Sequence, residues 1–192
     1  EMYFRKGHFE MVRRIARDLT ARYRDMGLKR MIIPCTAGFN MHTNVLPHFG
    51  AEFDFEVVHL LPWLLERLQK GEIAIRHPLE MTVTIQESCH AKLLGEAFMD
   101  IPRRILTLMG ARIVEAPSRR ERSLCCGIGG GFSHAAAYHP YHLLRSTLRN
   151  VRMFCATGAE AVVTYCAGCL QMLATGQLAY PFGGQPIYHL LQ

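Results

Sequence analysis

Five cysteines run through the second half of this chain in one pattern: Cys89, the adjacent pair Cys125-Cys126 after 35 residues, then Cys166 and Cys169 as a C-x-x-C after 39 more. Each lies in a short glycine-rich or polar stretch that follows an apolar run, as Cys89 follows Val83-Thr84-Ile85 and Cys166 follows Ala161-Val162-Val163-Thr164. Such short apolar runs read as strands, with the cysteines at their C-terminal ends. Open α/β sheets gather side chains at the C-terminal ends of such strands, so the spacing already favours one architecture.

The rest of the chain agrees. Apolar residues at Met11, Val12, Ile15, Ala16, Leu19 and Tyr23 predict a helix over about Phe9 to Met26, stopped by Gly27. Met31-Ile32-Ile33 and Phe55 to Val58 predict strands, Leu61 to Leu68 a helix, Ile101 to Met109 another, and Ala111 to Val114 a further strand. Ser133 through Cys155 predicts a long helix ended by Gly158. Helices alternating with short apolar strands indicate parallel α/β units.

An internal repeat sharpens this. Gly27 precedes Cys35 by eight residues and Gly158 precedes Cys166 by eight; Met31 to Cys35 aligns with Val162 to Cys166, and Val57-Val58-His59-Leu60-Leu61 with Ile187-Tyr188-His189-Leu190-Leu191. The unit helix, Gly, strand, Cys, helix, His-Leu-Leu occurs twice. The fold expected is α/β: two pseudo-repeated Rossmann-like βα units with short parallel sheets and a site at the C-terminal strand ends. Residues 1–80 read as the back of a degenerate first repeat, 81–192 as the second, and the whole as a fragment of a longer polypeptide. Gly38 stands where the first copy would need the equivalent of Cys169, which leaves Cys35 a relic.

Cysteine thiolates are soft ligands that select iron–sulfur clusters or zinc. Zinc takes four ligands and five are offered, and an adjacent pair suits a multi-iron object better than one tetrahedral ion. Zinc nevertheless stays open as the alternative. Cys155, within the long helix, and Cys35 read as buried thiols without a ligand role. Gly127 and Gly129, in the run Cys126 to Gly131, let backbone amides approach cluster sulfurs; the run lacks the Lys-Ser/Thr of a phosphate loop. His90 and His134 adjoin the cysteine motifs and are the candidate catalytic residues, although a histidine hydrogen-bonded in a loop is the commoner case. His139, His142, Arg145 and Arg149 along the long helix read as a solvated stripe.

Seven cysteines, an odd number, with two adjacent, do not make a disulfide framework, which favours a reducing cytoplasm. No apolar run approaches the roughly 20 residues of a membrane span, and Glu1 to Lys6 lacks a signal-peptide core. The net charge of +6 fits an acidic partner. Nucleic acid is not expected, because Arg13, Arg14, Arg17, Arg22 and Arg24 on a helix and Arg119, Arg120 and Arg122 in a loop lack interleaved aromatics.

Ser88-Cys89-His90, Leu124 through Gly131 and Tyr165-Cys166-Ala167-Gly168-Cys169 together resemble the cysteine-rich CCG domain of heterodisulfide reductase catalytic subunits. The family includes the iron–sulfur subunits of glycolate and lactate oxidation and membrane-complex subunits of sulfate reducers. The resemblance implies a [4Fe–4S] cluster, noncubane in the reductases, held by Cys89, Cys125, Cys126, Cys166 and Cys169, which delivers electrons to a small-molecule or protein disulfide. It implies a ferredoxin-like iron–sulfur domain or subunit as electron source, with a membrane-anchoring or flavoprotein subunit as further partner, and hence a place on the membrane through that partner. Two other readings stand beside it: an electron-transfer subunit of a hydroxy-acid oxidase, and a zinc-held scaffold.

Overall fold

The apolar runs form strands, and in the second half all of them are parallel. The computed structural model describes residues 1–128, 140–178 and 184–192, with the backbone alone for 140–143. The chain divides into two units, Glu1–Leu60 and Leu61–Gln192.

In the first unit, α1 (Met2–Arg5) and the amphipathic α2 (Phe9–Asp25) precede β1 (Arg30–Ile33). α3 (Thr36–Asn40), a π-helical turn, α4 (Leu46–His48) and β2 (Glu56–His59) follow. α2 buries Val12 and Ala16 against Met41, Leu46 and Ala51. β1 and β2 pair in parallel with Ile33 opposite His59.

The second unit holds α5 (Leu60–Gln69), β3 (Thr82–Gln86), α6 (Glu96–Leu108), β4 (Arg112–Ile113), α7 (Pro140–Cys155), β5 (Ala161–Thr164), α8 (Ala167–Leu178) and β6 (Ile187–His189). Its sheet runs β4-β3-β5-β6, every pair parallel. β3 and β5 are central and buried along their whole length, which is why they read as unbroken apolar or β-branched runs. Leu61, Leu65, Met99, Ile105 and Leu106 pack with Val83, Ile85 and Val163; Val151, Phe154 and Leu173 pack with Val162. The strand after β3 lies on one side of it and β5 on the other. The order therefore reverses between β3 and β5, the switch point where an open sheet leaves a crevice.

The two copies of the sequence repeat share a register. Thr164 pairs with His189 as Ile33 pairs with His59, and Thr164 and Ile33 are the residues that the repeat aligns.

Three expectations need correction. The helix placed at Ile101 to Met109 begins at Glu96: Gly95, at φ 84°, turns the chain into it, and Pro102, which looks like a helix start, falls in its second turn. The strand read as Ala111 to Val114 is only Arg112–Ile113. Cys155 ends α7 instead of lying mid-helix and is half-buried, while Cys35 is exposed. The helical start read at Ser133 lies outside the described residues.

Candidate iron–sulfur centre

β3 ends at Gln86 and β5 at Thr164, and their register places Gln86 beside Thr164. The chains leaving these neighbours carry Cys89 and Cys166, so two motifs 77 positions apart meet at the switch point. Cys166 sits immediately before α8, and its sulfur accepts hydrogen bonds from the backbone amides of Gly168 and Cys169. Cys35 does the same in the first unit, its Sγ accepting from Gly38 N at 3.4 Å at the start of α3. A thiol at this place caps a helix as a serine would.

Cys125 and Cys126 lie on a segment outside helix and strand, so its backbone groups need other partners. Four consecutive carbonyls find them in side chains. Lys92 Nζ donates to Ser123 O at 2.7 Å and Gln86 Nε2 to Leu124 O at 3.2 Å. Asn150 Nδ2 and Ser146 Oγ donate to Cys125 O at 2.8 and 3.0 Å, and Thr147 Oγ1 donates to Cys126 O at 3.0 Å. The amide oxygens of Gln86 and Asn150 are buried and unpartnered among the described residues. Leaving such an oxygen unpaired costs about 1–3 kcal/mol. Both amides are thus committed to the cysteine segment at the expense of their own second group.

Gly127, at φ 107°, follows the pair, and its amide donates to Cys125 Sγ at 3.4 Å. At Gly168 a Cβ would come within 3.2 Å of Ile128 Cδ1, so the absence of a side chain inside the C-x-x-C lets the Cys126-Gly127-Ile128 turn approach. Gly176 plays a similar part between helices: a Cβ there would collide with Thr147 Cγ2, the residue that holds Cys126.

A buried ion network joins the two strand ends. Glu87, 1% exposed, accepts from Arg103 Nη2 at 2.7 Å and from Tyr165 Oη at 2.8 Å. Arg103 also donates to Glu115 at 2.7 and 3.0 Å and to Met99 O at 2.6 Å. Glu87 is two residues from Cys89 and Tyr165 is one from Cys166, so one carboxylate ties both cysteine-bearing loops. Burial, with Glu87 beside it, pushes the Tyr165 hydroxyl well up, which keeps it a proton donor to that carboxylate.

The five thiols perturb one another as a group: Cys89 with Cys125, Cys125 with Cys126, Cys126 with Cys169, Cys169 with Cys166, and Cys89 also with Cys126 and Cys166. Hydrogen bonding from Cys169 draws Cys166 down to about 6 against the effect of burial, with the amides of Cys169 and Gly168 and nearby His90 helping. The hydrogen bond to Cys125, with burial, pushes Cys126 up to about 12. Hydrogen bonding to Cys125 and burial raise Cys89; hydrogen bonds to Cys126 and Cys166 and burial raise Cys169. Cys166 is thus drawn down while Cys89, Cys126 and Cys169 are pushed up, and because metal binds the thiolate form, loading metal onto raised thiols would release protons.

Among the described residues no three His, Cys, Asp or Glu side chains close around a point where a single metal ion would sit. A soft, all-sulfur set of five donors fits a body with several metal atoms better than one ion with four ligands.

The structure brings together all five sequence-predicted cysteines. His90 Nδ1 lies 3.5 Å from Cys89 Sγ and the residue is 7% exposed. Gly129 and His134 lie outside the described residues. Sequence reading missed Gln86, Glu87, Lys92, Arg103, Ser146, Thr147, Asn150 and Tyr165. A signal was present for some: Gln86-Glu87 and Tyr165 are polar groups closing apolar strands, and Thr147 and Asn150 fall on the apolar side of their helix.

Residues 83–174 match the CCG cysteine-rich domain. The chain is 28% identical over 176 residues to the "Probable iron-sulfur-binding oxidoreductase FadF" of Bacillus subtilis, covering 91% of this chain and 24% of that protein. It is 28% identical over 160 residues to the EtfAB:quinone oxidoreductase of Syntrophomonas wolfei, covering 80% and 22%. To a subunit of the dihydromethanophenazine:CoB–CoM heterodisulfide reductase of Methanosarcina barkeri it is 27% identical over 172 residues, covering 88% and 41%. The chain thus spans less than half the length of each. No helix among the described residues is long and apolar enough to cross a membrane.

Proposed function

We propose, from the premise that residues 83–174 belong to the CCG cysteine-rich domain family, that this chain is an iron–sulfur redox module. In it Cys89, Cys125, Cys126, Cys166 and Cys169 hold one [4Fe–4S] cluster of noncubane form, and the module reduces a disulfide. The observation that carries the reading is the group of five mutually perturbing thiols at the β3–β5 switch point. Relatives named as iron–sulfur and heterodisulfide oxidoreductases support it.

When bound, the cluster supplies one-electron transfer and an iron open to a sulfur ligand. The chain's own groups do the rest. The amides of Gly127, Gly168 and Cys169 donate to the ligand sulfurs, which raises the potential by stabilising added electron density. His90, within hydrogen-bond reach of Cys89, is placed to hand a proton to a departing thiolate. The Glu87–Arg103–Tyr165 network holds the two ligand loops at a fixed separation.

Residues 1–80 are the end of a degenerate first repeat and 81–192 the complete second one. The lone Cys35, with Gly38 three residues on, gives the first no second cluster. Electrons come from a ferredoxin-like domain or subunit, and a partner holds the assembly at the membrane. The likeness to EtfAB:quinone oxidoreductase favours a second reading, in which the same site passes electrons onward and the substrate reacts elsewhere.

Anaerobic purification followed by iron and acid-labile sulfide analysis tests the reading. About four of each per chain, with broad visible absorption, is the expected result; one zinc and no sulfide refutes it. Cys126→Ala lowers iron content strongly and Cys155→Ala leaves it unchanged, and equal loss in both contradicts the ligand set. A change in the paramagnetic resonance of the oxidised cluster on adding disulfide or thiol separates disulfide chemistry from a relay.

A further inference from the structure

We propose that the outward face of α7 is the docking surface for an acidic, one-electron carrier protein, which reduces the centre across this helix. The proposal rests on the cluster reading above and adds the place and chemistry of the electron donor.

α7 has two faces with different tasks. Buried Thr147 and Asn150 face the cysteine segment and hold the carbonyls of Cys126 and Cys125. On the opposite side Leu144, Arg145, Leu148, Arg149 and Arg152 line an open groove of about 500 Å³. The arginines recur at spacings of four and three, which stacks them in one stripe, and all three are exposed. Arginines around an apolar strip are what the centre of a protein interface is enriched in.

The stripe has no counter-charge of its own. From Arg122 to the end of the chain the only acidic residue is Glu160, and its carboxylate accepts from the backbone and side chain of Thr82. Among the described residues none of the three arginines forms an ion pair. Like charges three or four apart on a helix repel by a few tenths of a kcal/mol per pair, and an anionic partner removes that cost. The basic helix α2 differs: its Arg13 pairs with Glu10 and lies over Phe49, and Asp18 and Asp25 share the helix.

Three unpaired guanidiniums give a local positive field that steers an acidic protein to this face. Among the described residues of the face the interleaved side chains are leucines, not the aromatics that stack bases, which favours a protein over a nucleic acid. A helix is about 10–12 Å across with its side chains, so a carrier seated on the stripe stands one helix width from the segment that bears Cys125 and Cys126. One electron leaves the reduced carrier, which is oxidised, and enters the centre, which is reduced by one; no atom is exchanged.

The test uses the anaerobically reconstituted chain with a reduced acidic [2Fe–2S] ferredoxin as donor and dithionite as a small-molecule control. In R145E/R149E/R152E the second-order rate with ferredoxin falls at least about 10-fold at low salt and loses its decline with ionic strength. Iron content and reduction by dithionite stay as in the parent, and the triple Arg→Lys variant keeps the salt dependence. Binding of the oxidised ferredoxin to the cluster-free chain, by calorimetry, reads the surface independently and weakens at least about 10-fold in the same variant. An unchanged ferredoxin rate or affinity overturns the proposal. So does a DNA oligonucleotide that displaces the ferredoxin at equal charge concentration. Absence of iron, or failure of dithionite to reduce the chain, defeats the cluster reading instead, and the binding measurement still judges the surface.

Discussion

Arg103→Met tests the network behind the ligand loops. The methionine keeps most of the aliphatic volume and removes the guanidinium that donates to Glu87, twice to Glu115 and to Met99 O. Glu115 is part-exposed, its side chain 34% accessible, and turns to water at little cost. Glu87 is 1% accessible and among the described residues keeps only the Tyr165 hydroxyl, so a carboxylate stays buried without its cation. Breaking a buried pair by removing one partner costs about 3–5 kcal/mol, a large part of the ~5–15 kcal/mol that holds a domain together. For a chain of this size that lowers the melting temperature by about 6–20 °C. Glu87→Gln added to Arg103→Met removes the stranded charge and leaves an acceptor for Tyr165, so the double variant recovers at least about 2 kcal/mol of the loss. Urea denaturation of the metal-free protein at pH 7, run as a double-mutant cycle, gives both numbers. A cost below about 1 kcal/mol for Arg103→Met, or a double variant as unstable as the sum of the singles, refutes the buried-charge argument.

Asn150→Leu and Thr147→Val each remove a donor to the cysteine segment. Each is expected to lower iron per chain after reconstitution while costing about 1–3 kcal/mol of stability; full loading in the double variant shows that the carbonyls need no holding. Gly176→Ala forces a methyl into Thr147, with an expected loss of about 1–3 kcal/mol and a fall in iron content that Thr147→Ser in the same chain partly restores. His59, 2% exposed against Phe39 and 3.5 Å from Thr36 Oγ1, is drawn down by burial to about 4. The folded chain then binds fewer protons than the unfolded one, so stability is full above about pH 6.5 and falls as pH drops towards 4. At 1.36 kcal/mol per unit the loss reaches about 3 kcal/mol. Urea midpoints of the parent and His59→Gln at pH 7, 5.5 and 4.5 check it, and parallel pH curves for the two rule out His59 as the source.

The framework was readable because its signals are local. β3 and β5 are short apolar runs that end in polar groups, and the Gly-to-Cys spacing of the repeat corresponds to the shared register of Ile33 with His59 and Thr164 with His189. The five cysteines marked the candidate site because thiolates are soft ligands that select zinc or iron–sulfur clusters. The residues that orient them were not readable. Lys92, Gln86, Thr147 and Asn150 reach the cysteine segment from 21 to 38 positions away, and each taken alone is an ordinary polar side chain. Arg103 looked like one more helical arginine; only the fold shows it buried between two carboxylates. The start of α6 was not readable either: the helix begins at Glu96, five residues before Ile101, and Phe98, Met99, Ile105 and Leu106 are buried along it.

If Cys166 is a cluster ligand, as proposed, its cap makes metal content and helix order a single variable. The lone pairs that accept from Gly168 and Cys169 would then belong to an atom bonded to iron, and the first turn of α8 would be fastened to it. A protein stripped of its metal would register the loss far from any chromophore, as faster amide exchange at Gly168 and Cys169. In the first unit, where Cys35 caps α3 and is the one cysteine of the unit, the amide of Gly38 would report nothing.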